Sequence, residues 1–170
     1  PPRSGQWRSP PNPVPTAAGK ACCVAVLRGW AYADGKLIYN LLDAHTVAVD
    51  AQTGKEFWRT KMDNVDKGVT MTMSAFTADG KVFVGNSGGE MGVNGWLAAL
   101  DIGTGKELWR AHAVGPDKDV LIGAGFNPFY PWMKGKDLGV PPWPAALWPT
   151  GAGASRGSIF YASHPSAVFC

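Results

Sequence analysis

The stretch V47-A-V-D-A-Q-T-G-K-E-F-W-R-T-K61 returns as A98-A-L-D-I-G-T-G-K-E-L-W-R-A-H112, and this repetition decides the fold. Trp58 and Trp109 lie 51 residues apart, as do Gly54 and Gly105. A second echo precedes each copy: Y32-A-D-G-K-L-I-Y-N40 and T77-A-D-G-K-V-F-V-G85, with Gly35 and Gly80 45 residues apart. The six-residue difference between the two offsets places an insertion in the second copy, around G89-E-M-G-V-N-G95. Each unit reads alike. Asp-Gly makes a hairpin turn, an apolar strand follows, and a further strand ends in Asp. Thr-Gly then supplies a left-handed turn position before a last strand that carries Trp. Short strands recurring in sets of four at this period predict an all-β chain built of β-propeller blades. Trp58 and Trp109 are expected to be buried between neighbouring blades, where truncation to Ala costs about 3–5 kcal/mol.

Composition agrees with that class. Of 170 residues 22 are Gly, 14 Pro and 8 Trp, which suits tight turns and aromatic packing. Charged residues make up 17% and hydrophobic ones 45%, so the chain is neither disordered nor membrane-spanning, and no apolar run approaches the ~18–20 residues of a membrane helix. A net charge of +3 with scattered basic residues argues against nucleic acid as partner. Residues 1–20 read as a divergent N-terminal segment without the charged and apolar regions of a leader. Residues 21–114 read as the blades, and 115–170 as a Pro- and Trp-rich excursion leading to the next blade. Two repeats do not close a ring, so the chain is expected to be part of a larger propeller.

Three cysteines, Cys22, Cys23 and Cys170, form neither a disulfide framework nor a zinc pattern. Neighbouring Cα atoms lie about 3.8 Å apart, closer than ordinary disulfides want, so Cys22 and Cys23 make either a strained ring or two small buried hydrophobes. A ring would offer a flat, rigid surface and would need an oxidising compartment. His45, His112 and His164 share no metal-binding spacing, and no Walker, Rossmann or hydrolase motif is present.

The Trp-bearing repeat, the Cys22-Cys23 pair and the runs T70-M-T-M73 and V84-G-N-S-G-G-E-M-G-V-N-G-W96 together resemble the quinoprotein (PQQ-dependent) alcohol dehydrogenases. Within that group the likeness is to the methanol dehydrogenase large subunit. G115-P-D-K-D-V-L-I-G123 and K134-G-K-D-L-G-V140 are most similar to its lanthanide-dependent branch. The resemblance covers about residues 20–153. It implies an eight-bladed propeller holding pyrroloquinoline quinone (PQQ) and a lanthanide or Ca2+ at its axis. Cys22 and Cys23 would form a vicinal disulfide against the quinone. Arg28, Thr72, Ser87, Gly88 and Gly89 would bind the cofactor, and Glu90 would ligate the metal. These residue types suit such roles, since a guanidinium forks onto carboxylates and hard cations want carboxylate oxygens.

The resemblance further implies periplasmic oxidation of methanol or another primary alcohol to the aldehyde, with cytochrome c as electron acceptor and a homodimer as one possible assembly. The aspartate base is expected beyond residue 170, with Asp117, Asp119 and Asp137 read as turn residues. The chain alone is expected to be inactive. Val24, Leu27, Leu41, Ala44 and Asn94 depart from the family pattern, as do Ala154 and Arg156 in G151-A-G-A-S-R-G-S158. The competing class is a non-enzymatic propeller scaffold for protein contacts, which needs neither adjacent cysteines nor a metal-binding loop.

Overall fold

The computed structural model describes residues 28–123, 125–127 and 134–135. Two four-stranded antiparallel sheets occupy this region. The first runs β1 (Ala31–Ala33), β2 (Lys36–Asn40), β3 (His45–Asp50) and β4 (Glu56–Lys61). The second runs β5 (Phe76–Ala78), β6 (Lys81–Gly85), β7 (Trp96–Asp101) and β8 (Glu107–His112). In both, spatial order follows chain order, as in a propeller blade. The helical turns among the described residues are two short 3-10 turns, Val65–Lys67 and Gly89–Met91.

The repeated residues build the repeated turns. Asp34 and Gly35 have φ of 50° and 71°, and Asp79 and Gly80 have 56° and 68°. Positive φ at both central positions matches the twist of a two-residue hairpin, here closing Ala33 on Lys36 and Ala78 on Lys81. At the β3–β4 turn, the Asp50 carboxylate accepts from the Thr53 amide at 2.6 Å, the Thr53 hydroxyl at 2.9 Å and the Gln52 amide at 2.9 Å. Asp101 does the same with the Thr104 hydroxyl at 2.7 Å, the Thr104 amide at 2.8 Å and the Gly103 amide at 3.1 Å. Even the register shift repeats, between Ala48 and Val49 and between Ala99 and Leu100. The connection β2–β3 spans residues 41–44, whereas β6–β7 spans 86–95, so the insertion expected in the second copy is this loop.

Alternation puts Ile38, Ala48 and Trp58 in one cross-strand row of the first sheet. They join Val82, Val84, Ala98 and Leu100 of the second sheet in a single core, with Val69, Met71 and Ala75 of the connection between the sheets. Trp58 is 8% exposed and its Nε1–H donates to the Ile102 carbonyl at 3.1 Å. A Cβ on Gly105 would come within 2.5 Å of the Trp58 ring, so glycine there makes room for the indole as well as the turn. Thr60 Oγ1 adds a hydrogen bond to the Gly105 carbonyl at 2.7 Å. Trp109, in the row Phe83–Ala99–Trp109, faces away from the first sheet and is half-buried. The repeat predicts equal burial of both tryptophans. The difference arises because Trp109 has no third sheet against it among the described residues.

A second tie crosses the sheets. Asp63 Oδ2 accepts from Trp96 Nε1 at 3.0 Å, and the Arg110 guanidinium lies 4.1 Å from the Trp96 ring centroid. Arg110 also donates to the Met62 carbonyl at 2.8 Å. A cation over an indole face supplements the hydrogen bonds that hold it there.

Trp58→Ala should lower the unfolding free energy by about 3–5 kcal/mol, and Trp109→Ala by less, in urea denaturation of the full chain. The hydrogen bonds from Thr53 and Thr104 hold the Asp50 and Asp101 carboxyls below the usual carboxylate range. Their folded values are depressed, so the unfolded chain binds more protons. The stabilisation is complete above the ordinary carboxylate value and disappears as pH falls through the lowered folded value. Carboxyl titration by NMR should show both midpoints lowered, and Thr104→Ala should return Asp101 toward the ordinary range.

Candidate functional site

The connection between the sheets and the inserted loop meet at one end of the second sheet. Asn64 starts the connection by capping the 3-10 turn Val65–Lys67, its side chain accepting from the Asp66 amide at 2.9 Å. Gly68 ends that turn with φ 90°, and the chain then continues through a single bridge at Thr70 to a bend at Met73. Thr70 pairs with Ser87 across an antiparallel bridge: Ser87 N–H donates to the Thr70 carbonyl at 2.7 Å and Thr70 N–H to the Ser87 carbonyl at 3.2 Å. The bridge brings the Thr72 and Ser87 hydroxyl oxygens to 2.8 Å. Both residues are partly exposed, whereas Thr70 and Met71 are buried at 2% and 1%. Simple alternation would turn Thr70 and Thr72 alike to solvent. Thr72 alone of the two keeps a reachable hydroxyl.

Glycine is required beside this pair. Gly88 has φ 115°, and a Cβ there would sit 2.3 Å from the Gly68 carbonyl oxygen. The backbones of the connection and the loop touch at this point, with no side chain between. The Gly88 carbonyl then accepts from Met91 N–H at 2.9 Å and Val93 N–H at 3.3 Å, which curls Gly89–Met91 into its 3-10 turn. Glu90 lies in that turn; its side chain is outside the described residues. Two amides clasp the loop. Asn86 Oδ1 accepts from Trp96 N–H at 2.7 Å, and Asn86 Nδ2 donates to the Asn94 carbonyl at 3.2 Å. Asn94 Nδ2 donates to the Val114 carbonyl at 2.7 Å, tying the loop to the segment after β8.

Arg28 is exposed, and its neighbour Gly29 lies against the Ser74 side chain, where a Cβ would come within 2.5 Å of Oγ. This contact brings Arg28 to the chain segment that carries Thr72. Of the residues expected to act together, the structure therefore gathers Thr72, Ser87, Gly88 and Gly89, with Arg28 near the same segment. Cys22 and Cys23 lie outside the described residues, as do Asp137, Ala154 and Arg156. Among the described residues no three His, Cys, Asp or Glu side chains gather in a way that would hold a metal ion. Asp117 and Asp119 sit in the turn that follows β8, and the Asp119 carbonyl accepts from His112 N–H at 2.7 Å.

Sequence reasoning missed Asn40 and Thr46. Asn40 is 1% exposed, donates to the Met73 carbonyl at 2.9 Å and accepts from the Thr46 hydroxyl at 2.9 Å. This buried amide, bonded through both its nitrogen and its oxygen, anchors the Thr72 segment to the first sheet. The available signal was an Asn ending the apolar run K36-L-I-Y-N40, where the second copy has Gly85. Ala44, one of the departures from the family pattern, holds φ 62° in the β2–β3 turn. Its backbone is kept there by bonds from Ala44 N–H to Leu41 O at 3.2 Å and from Met62 N–H to Ala44 O at 2.7 Å.

The donor set has a definite chemistry. Two hydroxyls beside side-chain-free backbone suit a planar, oxygen-rich anion, because hydroxyl groups donate to carboxylates and bare backbone admits close approach. The residues present therefore fit a polycarboxylate such as PQQ. No helix among the described residues is long and apolar enough to cross a membrane.

Residues 6–131 match the family model PQQ_2, described as outer membrane protein assembly factor BamB. The lanthanide-dependent methanol dehydrogenase of Methylacidiphilum fumariolicum is 42% identical over 156 residues, covering 92% of this chain and 26% of that protein. Subunit 1 of the cytochrome c methanol dehydrogenase of Methylorubrum extorquens is 38% identical over 161 residues, covering 91% and 26%. Among solved structures, a europium-containing methanol dehydrogenase superposes with a TM-score of 0.60 at 48% identity, covering 62% of this chain and 18% of the other. The chain thus spans about a quarter of the length of the curated relatives it matches.

Gly88→Ala should cost on the order of 2 kcal/mol or more, since it combines positive φ with a backbone clash. Gly92→Ala, at φ 77° in open space, should cost only about 1–2 kcal/mol. Urea denaturation gives the ranking, and faster amide exchange at Ser87 in the Gly88 variant would place the damage at the bridge.

Proposed function

The chain belongs to the PQQ_2 repeat family, and from that membership we propose that it forms blades of a periplasmic quinoprotein that oxidises methanol or another primary alcohol. The observation that carries this reading is the hydroxyl pair of Thr72 and Ser87, held 2.8 Å apart beside a glycine backbone in the loop that interrupts the repeat. Support comes from the relatives, whose names are those of methanol dehydrogenases.

In this proposal Thr72 and Ser87 donate to carboxylates of PQQ, and Arg28 adds a fixed fork of N–H donors. Gly88 and Gly89 let the backbone approach the ring system closely. Cys22 and Cys23, joined as a vicinal disulfide, rest against one face of it. Glu90 supplies carboxylate oxygen to a lanthanide or Ca2+. Held there, PQQ would supply a hydride-accepting quinone and the metal would supply Lewis acidity beside it. The described residues position and orient; the general base, the aspartate expected elsewhere in the protein, takes the hydroxyl proton. Cytochrome c would be the electron acceptor.

A protein-contact scaffold is the second reading, favoured by the description of the family model. It calls for no quinone. PQQ titrated into the complete propeller protein and followed by tryptophan fluorescence should bind, with Thr72→Ala and Ser87→Ala each weakening affinity on the order of tenfold. Equal affinity in both variants would remove the hydroxyl pair from the site, and no binding to the wild type would favour the scaffold. Within the complete enzyme, Glu90→Ala should abolish lanthanide retention after dialysis, measured by mass spectrometry of the metal, with the β-sheet circular dichroism unchanged.

A further inference from the structure

We infer that Asn94 is a site of spontaneous deamidation that unclasps the inserted loop. The chain contains six asparagines, and Asn94-Gly95 is its single Asn-Gly pair. Succinimide formation needs the next residue's backbone nitrogen as nucleophile, free of a hydrogen bond and unobstructed by a side chain. Asn94 is exposed, and among the described residues Gly95 N–H donates to nothing.

The other asparagines fail one of these requirements. After Asn40, the Leu41 amide is bound to the His45 carbonyl at 2.7 Å. After Asn86, the Ser87 amide is bound to the Thr70 carbonyl at 2.7 Å. Asn64 precedes Val65, β-branched and buried. Asn12 and Asn127 precede proline, which has no N–H.

The step balances without an oxidant. Gly95 N bonds to Asn94 Cγ while the Cγ–Nδ2 bond breaks, and Nδ2 leaves as ammonia carrying the proton lost from Gly95 N. Water then opens the ring. Breaking the new N–Cγ bond yields aspartate; breaking the original N–C bond yields isoaspartate, with an added methylene in the main chain.

Either product undoes the loop's anchorage. Asn94 Nδ2 donates to the Val114 carbonyl at 2.7 Å. A carboxylate in its place turns that donor into an acceptor facing an acceptor. Isoaspartate does more, because Asn86 grips both the Asn94 carbonyl and the Trp96 amide. In isoaspartate the gripped Asn94 carbonyl carbon leaves the main chain as a free carboxylate, and the Cγ carbonyl that replaces it stands one methylene further from the Asn94 Cα, so the two grips fall out of register. The segment released, 86–95, carries Ser87, Gly88, Gly89 and Glu90.

The test is to age the full folded chain at mildly alkaline pH. Peptide mass spectrometry locates the amide-to-acid mass change, and isoaspartyl methyltransferase labelling detects isoaspartate. Conversion should concentrate at Asn94, and Asn94→Gln should abolish the isoaspartate label. Conversion at Asn64 or Asn86 as fast as at Asn94 would overturn the assignment of the site. Amide hydrogen exchange at Trp96 should accelerate in the isoaspartate fraction and, through loss of the Val114 bond, more modestly in Asn94→Asp. Unchanged Trp96 protection in the isoaspartate fraction would overturn the unclasping.

Discussion

The seating of Trp58 on the second sheet is the contact on which the remaining geometry depends. Its indole N–H meets the Ile102 carbonyl, and its ring fills space that any side chain at residue 105 would occupy. A flat aromatic buries much apolar area at once, and the single hydrogen bond sets its orientation. Thr60 on Gly105 and Arg110 on Met62 act across the same junction. Without it, each sheet would lose one wall of the common core that runs from Ile38 to Leu100.

Once the sheets are so placed, the 64–75 connection has little freedom. Val69, Met71 and Ala75 are drawn into the core between the sheets, and Asn40 takes the Met73 carbonyl. That leaves Thr72 at the surface, opposite Ser87. The contact of Gly88 with the Gly68 carbonyl then fixes how closely the inserted loop can lie. The site is a consequence of inter-sheet packing, and its polar atoms stand on buried supports rather than on one another alone.

The turns were the most legible part of the sequence. Asp-Gly and Asp-x-x-Thr-Gly-Lys carry their conformation locally, through positive φ and through the Asp–Thr hydrogen bonds, so two copies sufficed to set eight strands. The loop at 86–95 was legible as an interruption of the repeat. Thr72 and Ser87 came from the family resemblance, since two hydroxyls fifteen positions apart have no local signature. Asn40 and Arg110 were missed for the same physical reason. Their partners, Met73 and Met62, lie 33 and 48 positions away, and a hydrogen bond to a distant carbonyl leaves no periodicity in the chain. Trp109 reads as equal to Trp58 because the repeats are equal, although burial depends on what stands opposite.

The sequence by itself determined the strand order, the turn types and the position of the insertion, because each is written in residues near one another in the chain. Only the tertiary structure decided which of Thr70 and Thr72 keeps an exposed hydroxyl, why Gly88 can bear no side chain, and which carbonyl holds each buried amide. Those outcomes are set by the distance between segments far apart in sequence, and that distance exists only once the two sheets have packed.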